Sequence, residues 1–233
     1  LFSLNNNLNI LENKSNYNFY QFKTDFSNEF NLLDKSKFST GILADKLDFN
    51  TKNFNTTNLE YTRNTFAIYS EIQSTFKSFD FILGGRLETY KIFGNTNTNS
   101  LNKFKQTQFF PNATIQYNLS NYIFINANYN KKINLPNTSS LNPNNTSYQN
   151  QNITFYGNPN LNPTIFNNFE IKFSALEYFT IGYSISNVNN QIATRIIDNN
   201  GGVANITENI PNTTIQNFNF GLPIPFMLFT KGL

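Results

Sequence analysis

Arg86 and Glu88, with Glu71 some way before them, are the clearest set of ionisable groups in this chain. In an extended backbone, residues two apart point the same way. A guanidinium and a carboxylate at that spacing can pair on one face, a chemistry of binding and packing rather than of bond making. The chain contains no Cys and no His, which removes thiol nucleophiles, disulfides, the usual zinc sites and imidazole acid–base chemistry together. No phosphate loop, metal-binding helix or nucleophile motif occurs, and Asp198 to Gly202 lacks the acidic spacing of a calcium loop and reads as a hairpin turn. No metal, no cofactor and no catalysis are therefore expected. A second group lies between Pro136 and Thr164, where Tyr148, Asn150, Phe155, Tyr156 and Asn158 offer ring faces and amides to a polar ligand. The same stretch holds Asn142-Pro143, Asn158-Pro159 and Asn162-Pro163, which equally make turns. Both readings stand.

The elements that must hold these residues are strands. Phe (26) and Tyr (12) are abundant and charged residues are only 13% of the chain, while roughly one residue in five is Asn, far above ordinary usage. Few charges, many aromatics and many small amides suit strands that are apolar on one side only. Period-two alternation dominates. From Phe79, one face carries Phe81, Leu83, Gly85 and Leu87, and the other Asp80, Ile82, Gly84, Arg86, Glu88 and Tyr90. Asn64 to Phe76 sets Phe66, Ile68, Ile72 and Phe76 against Ala67, Tyr69, Glu71, Gln73 and Thr75. In Tyr122 to Leu135 the odd positions Ile123, Ile125, Ala127, Tyr129, Lys131, Ile133 and Leu135 form one face throughout. Weaker alternation at Tyr17 to Asn28, Lys37 to Phe49, Phe109 to Asn118, Ile165 to Ser174, Phe179 to Ile197 and Val203 to Leu222 brings the expectation to about nine strands, many longer than those of a soluble sheet.

Connections between them alternate in length. Short ones fall near Asn31 to Ser36, Lys77-Ser78, Ser120-Asn121, Ala175 to Tyr178 and Pro223 to Pro225; long ones at Lys52 to Glu60, Gly94 to Lys105 and Pro136 to Thr164, with a bare turn at Gly201-Gly202 as the weak case. Antiparallel strands that cross a bilayer have this asymmetry, with turns on the periplasmic side and loops outside. Aromatic residues near strand ends, such as Phe76, Phe79, Tyr117 and Tyr122, stand where interfacial girdles belong. Soluble sandwiches, jelly rolls and solenoids also alternate, so the pattern alone leaves both classes open. No apolar run reaches the length of a membrane helix, and a net charge of +3 gives no reason to expect nucleic acid. The frequent Asn-x-Ser/Thr triplets follow from the Asn content and partly fall inside strands, where a glycan does not fit.

Four segments carry a resemblance. "FFPNATIQYNLSNYIFINANYNKKINLP" (Phe109 to Pro136), "GNPNLNP" (Gly157 to Pro163) followed by Asn168-Phe169-Glu170, "GGRLE" (Gly84 to Glu88) and "FGLPIPF" (Phe220 to Phe226) resemble, in order and spacing, the barrel of TonB-dependent receptors and the related outer-membrane β-barrel family of the Bacteroidetes lineage. Lys131 and Lys132 stand where that family has paired arginines, Leu135 where a further Arg is common, and Asn162 where a Lys is usual. The resemblance implies an all-β, antiparallel, meandering transmembrane β-barrel, of which residues 1–233 are one part, with the plug and the remaining strands outside this chain. It implies a location in the bacterial outer membrane, lipid as a partner, and uptake of a bulky nutrient energised by the TonB complex through segments absent here. Glu71, Arg86 and Glu88 then face the lumen, either holding a plug or merely solvating the wall; Lys23, Asp25, Glu170 and Lys172 read the same way. The alternatives are a barrel of the same family without TonB coupling, serving as a passive channel or assembly component, and a secreted glycan-binding β-protein.

Overall fold

The computed structural model describes residues 13–30, 35–53, 58–97, 100–101, 104–144, 153–176, 179–199 and 202–222. Nine long strands follow one another as an antiparallel meander: β1 (Asn13–Phe30), β2 (Lys35–Asn53), β3 (Leu59–Phe76), β4 (Phe79–Thr96), β5 (Phe104–Ser120), β6 (Ile123–Asn134), β8 (Thr164–Ala175), β9 (Phe179–Asn199) and β10 (Gly202–Gly221). Between β6 and β8 the chain forms a one-turn helix, α1 (Thr138–Leu141), and a short strand, β7 (Ile153–Tyr156). β7 pairs in parallel with β10 and makes the sheet ten-stranded. The expectation of about nine strands thus missed β7, whose four residues are too few to display a period. Strands also run further toward the loop end than their alternation suggests. The expected loop from Lys52 to Glu60 shrinks to the gap between Asn53 and Leu59, and β4 continues through Thr96.

Cross-strand register makes the two faces explicit. Phe38, Ile72, Leu83, Ala113, Tyr129, Phe169 and Ile185 are successive partners and form one apolar row across the outer face. One residue along each strand, the inner row reads Ser39, Glu71, Gly84, Asn112, Asn130, Asn168 and Ser186. Beside the short turns, an outer row of Phe76, Phe79, Tyr117, Ile125, Phe173, Ile181 and Phe220 includes the stacked pair Phe79–Tyr117, with ring centroids 4.7 Å apart. Ten residues up β3 from Phe76 comes Phe66, which matches the roughly 9–11 residues that a tilted strand needs to cross the hydrocarbon layer. Phe22, Phe26, Phe66, Leu83, Phe109 and Ile115 are all exposed in this belt. So large a continuous apolar surface marks contact with lipid.

Immediately above the belt the outer face turns polar, in the partner row Tyr20, Lys46, Asn64, Lys91 and Lys105. The inner face changes in the opposite sense. Leu47, Phe49, Leu59, Tyr61 and Ile92 are buried there, together with Leu101, Leu141 and Leu161 from the loops. Polarity inverts near Asn64: below it the sheet is apolar outside and polar inside, and above it the reverse.

The face reading of β6 needs one correction. Its ladder with β5 stops at Asn112 and Asn130, while its ladder with β8 continues to Asn134. Released from β5, the end of β6 is free to follow the right-handed twist of a strand. Ile133 and Leu135, expected on the outer face, pack instead against the inner cluster of Tyr90, Phe110 and Ile165.

Candidate functional site

The inner face carries a groove of about 740 Å³ beneath the long loop, whose lining includes Asp45, Arg63, Arg86, Glu88, Phe110 and the β6 end from Lys131 onward. Alternation on β4 places Arg86 and Glu88 on one face, as the sequence implies, and Arg86 Nε lies 2.5 Å from Glu88 Oε2. The Glu88 carboxylate is only 4% exposed, so this pair is a fixed part of the wall. Glu71 lies lower. It accepts from Gln73 Nε2 at 2.8 Å and from Asn112 Nδ2 at 3.4 Å, and it shares with Arg86 a smaller cavity of about 270 Å³.

Asp45 and Arg63 complete the groove and were not singled out from sequence. Alternation on β3 is legible only from Asn64, one residue past Arg63, although Arg63 continues the parity of Glu71. Arg63 Nη2 stands 4.0 Å from Asp45 Oδ1, with both side chains nearly buried. Lower on the same face, Lys23 pairs with Asp25 at 3.0 Å. Tyr69 also donates to Asp25, reaching across Gly41, where a Cβ would meet the Tyr69 hydroxyl. A side chain at position 41 would close that path.

The Asn content has a structural use on this face. Ser186 Oγ donates to Asn168 Oδ1 (2.6 Å), Asn168 Nδ2 to Asn130 Oδ1 (2.8 Å), Asn130 Nδ2 to Asn128 Oδ1 (2.8 Å) and Asn128 Nδ2 to Thr114 Oγ1 (2.6 Å). Each amide both donates and accepts, so the row links β9, β8, β6 and β5 through side chains without placing a charge in the lumen.

The described parts of the long loop, on either side of residues 145–152, are docked on the wall. Asn137 caps α1, its side chain accepting from Ser140 N at 2.7 Å. Leu141 is fully buried in the rim core and Leu161 nearly so. Gly157 N donates to Asn142 O at 2.8 Å and Asn158 N to Ser140 O at 2.7 Å. Further on, Asn162 N donates to Asn209 Oδ1 at 2.8 Å and Asn209 Nδ2 returns to Asn162 O at 3.0 Å. Of the aromatic and amide residues expected to meet a ligand, Tyr148 and Asn150 lie outside the described residues. Phe155 and Tyr156 are exposed on β7. Asn158 Oδ1 accepts from Asn160 N at 2.9 Å and so shapes a turn, leaving its amide nitrogen for other work.

Gly157 permits the docking. A Cβ there would lie 2.5 Å from the carbonyl oxygens of both Asn142 and Ser140, and these are backbone atoms that cannot rotate aside. Gly157→Ala is expected to break both bonds to α1 and loosen the loop by roughly 1–3 kcal/mol. In intact cells this should appear as new protease cleavage within the loop, with heat-modifiable migration of the barrel unchanged. Unchanged protease resistance would refute the docking.

No curated protein matches the sequence. Among solved structures, the chain is similar to the alcaligin outer membrane receptor FauA from Bordetella pertussis, at 13% identity over 91% of this chain and 41% of that one, with a TM-score of 0.59. It is similar to a double mutant of the Serratia marcescens hemophore receptor HasR, solved with its hemophore HasA and heme, at 12% identity over 90% and 40% and a TM-score of 0.68. It is also similar to the siderophore receptor PirA from Acinetobacter baumannii, at 18% identity over 91% and 35% and a TM-score of 0.55. The chain therefore spans less than half the length of these receptors. At such identities the likeness is one of fold, a partial barrel wall with unclosed edges. Residues 2–232 match one family over nearly the whole sequence, and with the lipid-facing belt this places the chain in the bacterial outer membrane as a member of the outer membrane protein beta-barrel family.

Proposed function

We propose that this chain is part of the wall and mouth of a TonB-dependent receptor that takes up a bulky nutrient, and that residues 1–233 belong to a single barrel domain completed by further strands and a plug. One observation carries the reading: the loop between β6 and β8 is docked by α1 and Leu161 onto the inner face of the rim, directly over a groove lined with ion pairs. A barrel wall needs no such structure, whereas a receptor needs a shaped, polar mouth above its lumen. The proteins of similar fold include receptors for alcaligin and for a hemophore, which supports a bulky cargo without naming one for this chain. In this reading Tyr148, Asn150, Phe155, Tyr156 and Asn158 meet the ligand, and Glu71, Arg86 and Glu88 face the lumen where a plug would sit. The contact with the TonB complex would come from segments outside this chain, and the reading involves no catalytic step. The same-family alternative, a passive channel or assembly component, predicts no energy requirement.

The test is growth of a strain dependent on the full-length gene across iron, haem, copper and glycan sources, with and without a functional TonB complex. Loss of one source on gene deletion, and the same loss without TonB, is the expected result. Growth that depends on the gene but not on TonB would leave the passive channel. Removing residues 145–152 should abolish uptake while barrel assembly persists, because extracellular loops carry little of the strand-to-strand hydrogen bonding. Uptake that survives this deletion would remove the ligand role of the loop.

A further inference from the structure

The basic pair that closes β6 rests on aromatic rings rather than on carboxylates among the described residues. Lys131 Nζ lies over the Phe110 ring at 5.6 Å and Lys132 Nζ over Phe166 at 5.2 Å. Among the described residues neither has a carboxylate partner. Both line the groove with Arg63 and Arg86, against which the groove sets Asp45 and Glu88. Glu88 is held by Arg86. Arg63 Nε is buried with no hydrogen-bond partner among the described residues, and the Arg63–Asp45 separation of 4.0 Å is beyond hydrogen-bond reach. A buried guanidinium N–H without an acceptor carries a desolvation cost, so this site presents a donor whose acceptor the described wall does not supply, beside Asp45 Oδ1, which is likewise buried without a donor. Leu43, Leu47 and Ile133 lie in the same lining, and apolar walls strengthen the field of the surplus cations.

We propose that this groove binds a compact anionic group, a carboxylate or phosphate, on a solute that enters from the loop end, with Arg63, Lys131 and Lys132 as its donors. Guanidinium and ammonium groups together suit such oxygens, since charge-assisted bonds are the stronger ones. The inference rests on the receptor reading only in having the solute arrive through the mouth, and it names the chemistry by which that solute is held. Lys131 shares the side of Ile133 and Leu135, which the twisted end of β6 has brought inward, and Lys132 stands exposed beside it on the rim of the groove, so this use of the basic pair depends on the end of the β5–β6 ladder.

Isothermal titration of the full-length receptor in detergent tests it, with succinate and inorganic phosphate as probes and dimethyl succinate as the uncharged control. Both anions are expected to bind at low salt and to weaken as salt screens them, and the ester is expected not to bind. Lys131→Gln/Lys132→Gln should weaken succinate roughly a hundredfold, about tenfold for each charge-assisted bond lost. Lys172→Gln, an inner-face cation outside the groove, should leave it unchanged. Arg63→Lys keeps the charge but loses the planar fork, and should also weaken binding. Because Arg63 is nearly buried, its variant is read only if gel migration shows an assembled barrel; the lysine pair stands at the rim and carries the test alone if not. No binding of either anion, equal affinity in the lysine variant, or ester binding as tight as the acid overturns the proposal. The measurement needs neither TonB nor energy. Binding without energised uptake therefore sinks the receptor reading alone, and uptake without anion binding sinks the groove alone.

Discussion

Phe169→Arg should cost roughly 2–4 kcal/mol of barrel stability, the range for a cation placed at the bilayer midplane, whereas Glu170→Arg, the next residue, should be near neutral. Phe169 belongs to the outer apolar row that runs through Leu83 and Tyr129, between the turn-side aromatic row and the polar row at Asn64. Glu170 pairs with Asn128 and Ser184 on the inner face, where a guanidinium meets water and amide oxygens rather than lipid. The contrast isolates the direction of one side chain, since both substitutions add the same group to the same strand. Urea midpoints of the full-length protein in lipid vesicles measure it. Similar midpoints for the two variants would abolish the assignment of faces.

Arg86→Met should be the most damaging single change on the inner face, at about 3–5 kcal/mol, because it leaves the Glu88 carboxylate buried without its partner. Glu88 is 3% exposed, so water cannot readily replace the lost guanidinium. The double variant Arg86→Met/Glu88→Leu should recover most of the loss, as replacing a buried pair by apolar groups is often neutral or better. The coupling is read from a double-mutant cycle on the same urea midpoints. If the two single losses simply add in the double variant, Arg86 and Glu88 do not act as a pair.

How far the sequence could be read depended on where alternation survives. On β3, β4 and β5 the strand lies between long partners and every residue takes the face its parity dictates, so Arg86, Glu88 and Glu71 share the face opposite the apolar row; on β8 parity holds from Phe166 on, but Ile165 turns inward with the end of β6. The match at Gly157 to Pro163 likewise marked a real element, since Gly157 is the point of close approach to α1. Parity failed at the end of β6, where Ile133 and Leu135 turn inward, because the loss of the β5 ladder is a pairing event and leaves no periodic trace. β7 is too short to show a period, and its parallel pairing with β10 joins residues nearly fifty positions apart, as in Thr154 and Ala204. Asp45 and Arg63 escaped for a third reason. A charge on the otherwise apolar inner side of a strand end, as Asp45 beside Leu47 and Phe49, reads as surface until the loop that covers it is in place.

The inversion of polarity at Asn64 means that one sheet is stabilised against two solvents. Below it, the outer residues sit in hydrocarbon, and their fit follows the thickness of the bilayer. Above it, Leu47, Phe49, Leu59 and Leu141 are withdrawn from water in the ordinary way, with the heat-capacity signature of such burial and the weakening on cooling that goes with it. Temperature therefore acts first on the mouth and lipid composition first on the wall. A cell that adjusts its membrane to the cold would restore the second without touching the first.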